Sequence, residues 1–223
     1  MLIDDYVADL GRVLYGPTGP RRDMVVEARD SLIDTADAYE ADGLVREEAE
    51  RLAVQEFGSV EEIAPDYQSE LTACAGRRLG GLLFVSVPLT ALAWSMLWQV
   101  FPLDPSIWTH KPGWFGVISL ALDLVQVAVG VCGGLSLLAL GRGARLLPKA
   151  RMVTRWLGGL VLAMLVITSV LGMILTIGTK GPVDFTAYPP GVMVTLMSYL
   201  LAGVQFYCAV RCLRITRTAV AHR

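Results

Sequence analysis

The chain has 223 residues, 54% of them hydrophobic, with a mean hydropathy of +0.52 and a formal net charge of −2. Ordinary soluble domains are about 45–50% apolar even when Gly is counted, so this composition excludes a single water-soluble globule. The near-neutral total hides two oppositely charged pieces: residues 1–71 hold 6 Lys/Arg against 18 Asp/Glu, a net of −12, and residues 72–223 hold 13 against 3, a net of +10.

The N-terminus "MLIDDYVADL" is acidic and amphipathic. It lacks the basic n-region and apolar h-region of a signal peptide, which predicts a first domain kept in the cytosol. Ile3, Tyr6, Val7, Leu10, Val13 and Leu14 follow the 3-and-4 spacing of one helix face. "YGPTGP" at 15–20 is expected to break that helix. A second helix is expected from Arg21 to Asp42, with Gly43 at its C′ position. A third is expected from Leu44 to Phe57, burying Val45, Ala49, Leu52, Ala53 and Phe57. Gly58 then suits the left-handed conformation that stops a helix. Ser59 and Glu62 have the S-x-x-E spacing of a capping box, in which each side chain takes the other's backbone N–H. Val60, Ile63, Ala64, Tyr67 and Leu71 continue the apolar face. Short amphipathic helices need tertiary packing, so residues 1–71 are expected to form a small helical bundle.

Residues 72–78 read as a juxtamembrane linker. Four apolar segments follow, each long enough to cross a bilayer core, which takes about 20 helical residues. They are 79–101, 114–140, 156–178 and 191–210. Arg77 and Arg78, then Arg142, Arg145, Lys149, Arg151 and Arg155, then Arg211, Arg214, Arg217 and Arg223 all flank one side; only Lys111 and Lys180 flank the other. Basic residues are retained on the cytoplasmic side. That predicts a multi-pass protein of the cytoplasmic membrane with both termini inside. Trp98, Trp108, Trp114 and Tyr188 suit the outer interface, and Trp156 the inner one. The fold class expected is therefore all-α, a small cytosolic helical bundle followed by a four-helix transmembrane bundle.

The sequence offers no catalytic set. P-loop, G-x-S-x-G, H-E-x-x-H and dinucleotide fingerprints are missing. The only histidines are His110 and His222, outside the spans, and Cys74, Cys132, Cys208 and Cys212 have no zinc spacing. No enzyme activity, cofactor or metal is expected. Asp123, with Gln126 three residues on, is the candidate intramembrane polar site, because a carboxyl within a span is costly. It can be structural, couple to a proton or ligand, or bind a partner. Gly130 and Gly134 have the spacing of close-packed transmembrane helices, which fits intramolecular packing and a homo-oligomer equally. The acidic N-terminal piece lacks the clustered Lys/Arg that phosphate contacts need, so no direct nucleic-acid binding is expected.

The run from Tyr6 to Leu10, then "EARDSLIDTADAYEADGL" and "REEAERLAVQEFGSVEEIA", resembles the bacterial HAAS domain, also called permease prefix domain 1. Ala53, Phe57, Gly58, Ser59, Glu62, Ile63 and Ala64 carry its A-x-x-x-F-G-[SD]-x-x-E-[IL]-A hairpin, and the likeness covers about the first third of the chain. "YGPTGP" is richer in Pro and Gly than the family pattern. The resemblance implies a regulatory role. Such domains precede membrane spans and are often encoded beside PadR-like winged-helix repressors, or precede transporter permeases. The function expected is a non-enzymatic bacterial membrane signalling protein. Besides the lipid bilayer, its partner would be a cytosolic protein, such as a basic, DNA-binding regulator. An accessory subunit of a transporter and a membrane assembly protein are the alternatives.

Overall fold

The computed structural model describes residues 2–101, 113–141, 147–178 and 188–218. Expectations for Trp108, His110, Lys111, Arg142, Arg145, Lys180, His222 and Arg223 fall outside the described residues. Those for the side chains of Trp98, Lys149 and Arg217 do too. The described residues are all-helical: α1 (Leu2–Val13), α2 (Thr18–Ala41), α3 (Arg46–Phe57), α4 (Val60–Val100), α5 (Phe115–Gly141), α6 (Leu147–Gly178) and α7 (Pro189–Thr218). Two compact units divide them, one built mainly from residues 1–75, the other from 76–143 and 152–214.

In the first unit the amphipathic stripes become one core. Leu10, Leu14, Leu32 and Leu71 are fully buried, with Ile3, Val7, Ala28, Ala36, Ala49 and Ala53 around them. Each fully buried leucine contributes roughly 1.5–3 kcal/mol of transfer free energy. Val13 and Val45, both expected inside, are exposed. Val13 is the last residue of α1, where the chain turns away from the helix axis, and Val45 precedes the first turn of α3 with extended backbone, so it does not share that helix's phase.

The break after α1 is shorter than "YGPTGP" suggested. Only residues 14–17 are non-helical; Thr18, Gly19 and Pro20 already form the first turn of α2. Pro20 is tolerated there because first-turn N–H groups have no intrahelical acceptor. Gln68, reaching back from α4, secures the break. The Tyr15 N–H donates to its Oε1 at 2.9 Å, and its Nε2 donates to the Tyr15 carbonyl at 2.7 Å. At the other end of α2, Gly43 has φ +97°, with its N–H bonded to the Glu40 carbonyl at 2.9 Å and the Leu44 N–H to Tyr39 at 3.2 Å. That pair is a Schellman stop.

One buried charge holds α3 in place. Glu50, 5% exposed, accepts the Leu2 N–H at 3.0 Å and Arg46 Nε at 3.1 Å. Arg46 Nη1 reaches Asp37 at 2.6 Å. It also stands 3.1 Å from Glu40 Oε1, which is buried and makes no properly aligned hydrogen bond, so that contact is a charge contact alone. A buried carboxylate is stable only when so paired.

Residues 72–78, expected as a linker, are helical within α4, whose 41 residues have no break. Arg77–Arg78 and Gly80–Gly81 mark a change of composition, but both dipeptides are compatible with a helix. Among the described residues there are four candidate spans, Val60–Leu97, Phe115–Gly141, Arg151–Leu175 and Pro189–Thr216, each long and apolar enough to cross a membrane. They are the features of a multi-pass membrane protein in contact with a lipid bilayer.

The second unit is held by close backbone approach and a few polar contacts between helices. A Cβ built on Gly80 would stand 2.9 Å from the Gly133 carbonyl oxygen, and one on Gly133 would stand 2.9 Å from Leu83 Cβ. One on Gly76 would strike Thr154 Oγ1, and one on Gly158 would lie 3.3 Å from the Ala209 carbonyl. Between α4 and α7, the buried Gln205 Nε2 donates to Ser86 Oγ at 2.7 Å, and Trp94 Nε1 donates to Ser198 Oγ at 3.2 Å. Arg77 Nη1 donates to the Leu140 carbonyl at 3.3 Å, satisfying an end-of-helix acceptor on α5.

Candidate functional sites

The hairpin between α3 and α4 is the more elaborate candidate. Gly58 has φ +100° and ψ 165°. This is not the left-handed helical conformation expected from the sequence but the extended mirror region, which is essentially restricted to glycine. The Gly58 N–H closes α3 onto the Val54 carbonyl at 3.2 Å. Tyr6 of α1 then fixes the turn from outside: its hydroxyl donates to the Gly58 carbonyl at 2.9 Å. Its ring meets Phe57 edge-to-face, centroids 5.9 Å apart at 87°. Burial, reinforced by the nearby Tyr67, Glu61 and Glu62, raises the Tyr6 hydroxyl above the usual phenol range, so it stays a donor.

The capping box is half made. Glu62 Oε2 accepts the Ser59 N–H at 3.0 Å, but the Ser59 hydroxyl donates to the same oxygen, also at 3.0 Å. The Glu62 N–H turns instead to the Ser59 carbonyl. The two bonds from Ser59, the backbone one first, hold the Glu62 carboxyl below the usual carboxylate range. Beside this turn lies an open groove of about 740 Å³. Tyr6, Asp9 and Val13 line it from α1, and Val54, Glu61 and Glu62 from the hairpin. Its charged rim is acidic except for Arg12, which pairs with Asp9. Tyr6 and Asp9 are groove residues that sequence spacing alone did not single out; Tyr6 read as one more core position of an amphipathic stripe.

The intramembrane candidates separate. Gly130 and Gly134 both face α4, but neither makes the closest approach. A Cβ on Gly130 would stand 3.5 Å from Val87, and one on Gly134 would stand 3.1 Å from the Phe84 ring. The closest approach to backbone between α4 and α5 joins Gly133 to Gly80; Gly80 shares a G-x-x-x-G spacing with Gly76, but no such spacing marks Gly133.

Asp123 is exposed on α5, eight residues in from Phe115, or about 12 Å along the axis. Gln126 is half-buried. Among the described residues, no hydrogen bond or ion pair reaches Asp123 from another helix. A carboxyl at membrane depth costs about 2.5–3.5 kcal/mol even on insertion scales. Among the described residues no three His, Cys, Asp or Glu side chains converge to hold a metal ion. Comparison with protein-family models, curated proteins and solved structures finds no match.

Proposed function

We propose that this protein is a membrane-anchored regulator whose N-terminal helical unit binds a cytosolic protein. The observation that carries the reading is the acidic groove beside the Gly58 turn, built from residues of the hairpin motif that resembles the HAAS domain. The groove combines a fixed backbone, partly exposed apolar groups at Val13, Val54 and Val60, and carboxylates at Asp9, Glu61 and Glu62. Such a surface complements an amphipathic helix carrying Lys or Arg, in the helix-in-groove mode. A basic winged-helix repressor of the PadR-like class is a partner of that chemistry. On this reading the unit faces the cytosol of a bacterial cell, both termini are inside, and the four spans anchor it. The uneven distribution of basic residues supports that orientation.

The test is a binding measurement between the full-length chain in detergent and a purified PadR-like winged-helix regulator. A salt-sensitive complex, weakened at least fivefold by Glu61→Lys with Asp9→Lys, is expected. Equal binding by the charge-reversed chain would remove the groove from the interface. No binding at low salt would remove the regulator as partner.

A further inference from the structure

The positions Gly116, Ser119, Asp123, Gln126, Gly130 and Gly133 alternate three and four residues apart, so they form one seam along α5. All six are small or polar. That is the composition of a helix–helix contact in a membrane, where small residues permit close approach and polar ones bond across. The inner half of the seam is used in that way: Gly130 and Gly133 lie against α4. The outer half is not. Among the described residues nothing lies within 4 Å of where a Cβ on Gly116 would be, Asp123 is exposed, and Ser119 and Gln126 are at most half-buried. The buried residues of α5, Val129, Gly133 and Ser136, all belong to its inner half.

We infer that the outer half of this seam is the contact between two copies of the chain, paired α5 to α5 through Asp123 and Gln126. Three features select a second copy over another occupant. A partner must offer a donor at the depth of Asp123, and a two-fold axis along the membrane normal places equal residues at equal depth. Both side chains lean toward the N-terminal end of α5, as helical side chains do, and the greater length of Gln126 lets its carboxamide span the three-residue offset to the level of the Asp123 carboxyl. Each copy then supplies what the other lacks: the Gln126 amide of one donates to the Asp123 carboxyl of the other, and symmetry returns the bond. Finally, Gly116 and Ser119 allow the backbones to approach on the outer side, as Gly133 and Gly80 do on the inner side.

The experiment uses the full chain in phosphatidylcholine–phosphatidylglycerol vesicles. Energy transfer between donor- and acceptor-labelled copies is followed against the protein-to-lipid ratio. Wild type should show reversible, concentration-dependent transfer. Asp123→Leu should weaken association about 5–10-fold, the loss of two interhelical hydrogen bonds of ordinary membrane strength. Asp123→Asn, which keeps an acceptor, should stay within about threefold. The leucine variant should keep wild-type helicity by circular dichroism, since among the described residues Asp123 makes no hydrogen bond or ion pair to another helix of its own copy. If it fails to fold, the Asn variant and a cross-link decide. In a chain with its four native cysteines replaced, Ser119→Cys should form a disulfide-linked dimer, and Leu196→Cys, on the exposed face of α7, should not. Monomeric wild type, unchanged association of a folded Asp123→Leu chain, or cross-linking through Leu196 in place of Ser119 would each overturn the proposal.

Discussion

The crossing of α4 and α5 permits a sharp test, because three glycines on neighbouring turns of one helix face different obstacles. A methyl group on Gly130 would meet Val87 at 3.5 Å, ordinary van der Waals contact. On Gly134 it would meet the edge of the Phe84 ring at 3.1 Å, and Phe84 is 57% exposed, so the ring can turn away into lipid. On Gly133 it would stand 2.9 Å from Leu83 Cβ and 3.1 Å from the Gly80 carbonyl oxygen. Both of those atoms are fixed to the α4 backbone, so relief requires the helices to separate by about half an ångström. Alanine at each site gains about 0.8–1 kcal/mol of helix propensity over glycine. Overpacking of the kind expected at Gly133 costs about 1–3 kcal/mol. The expected order is Gly130→Ala at or slightly above wild type, Gly134→Ala near wild type, and Gly133→Ala lowest. Gly133 and Gly130 should differ by about 1–3 kcal/mol, the whole of the overpacking term. Gly80→Ala, aimed at the Gly133 carbonyl at 2.9 Å, should match Gly133→Ala. The assay is unfolding of the full chain in mixed micelles titrated with dodecyl sulfate and followed by circular dichroism. Equal midpoints for Gly130→Ala and Gly133→Ala would refute the close-approach argument.

Other predictions concern the N-terminal unit and the polar contact between spans. Tyr6→Phe keeps the ring contact with Phe57 but removes the donor to Gly58, and should cost about 1 kcal/mol in unfolding and raise hydrogen exchange at residues 57–62. Gly58→Ala has room, its Cβ meeting Ile63 at 3.4 Å, so its cost of about 1–3 kcal/mol comes from backbone conformation; a chain as stable as wild type would show that the turn relaxes. The Glu62 carboxyl is held below its unfolded value, so the stability it contributes is present above the unfolded pKa, about 4.3, and lost as pH falls through the folded value. Acid titration of unfolding should therefore be shallower in Glu62→Gln. Gln205→Leu should destabilise the spans by roughly 0.6–1.7 kcal/mol in the same micelle assay, by removing the bond to Ser86.

Much of this architecture is legible in the sequence, for identifiable reasons. The spans follow from hydropathy because lipid leaves a backbone no other partner than itself. The stop at Gly43 and the turn at Gly58 follow because few other residues accept positive φ. The step in composition at 72–78 coincides with the division between the two units but not with the end of a helix, which ends only where hydrogen bonding or backbone conformation ends it. Gln68 and Glu50 could not be found from spacing. Each bonds to backbone some 50 residues away, and that distance has no periodicity. Gly133 was overlooked in favour of Gly130 and Gly134 because a G-x-x-x-G pattern describes one helix, while the point of closest approach belongs to two. Asp123 was visible as a charge in an apolar run, but its outward placement depends on how the other spans pack.

The lock between Tyr15 and Gln68, with Leu14 and Leu71 in the same core, also sets an order of events during synthesis. The first helix of the unit is finished more than fifty residues before its last partners exist. At 5–20 residues per second that interval lasts roughly 3–10 seconds, far longer than a helix takes to form. Throughout it, the core that Ile3, Tyr6, Val7 and Leu10 enter is incomplete. The nascent chain therefore presents an amphipathic helix to whatever surface is near. It withdraws that helix fully as Leu71 appears and closes the core, when the apolar stretch from residue 79 is the next to be made.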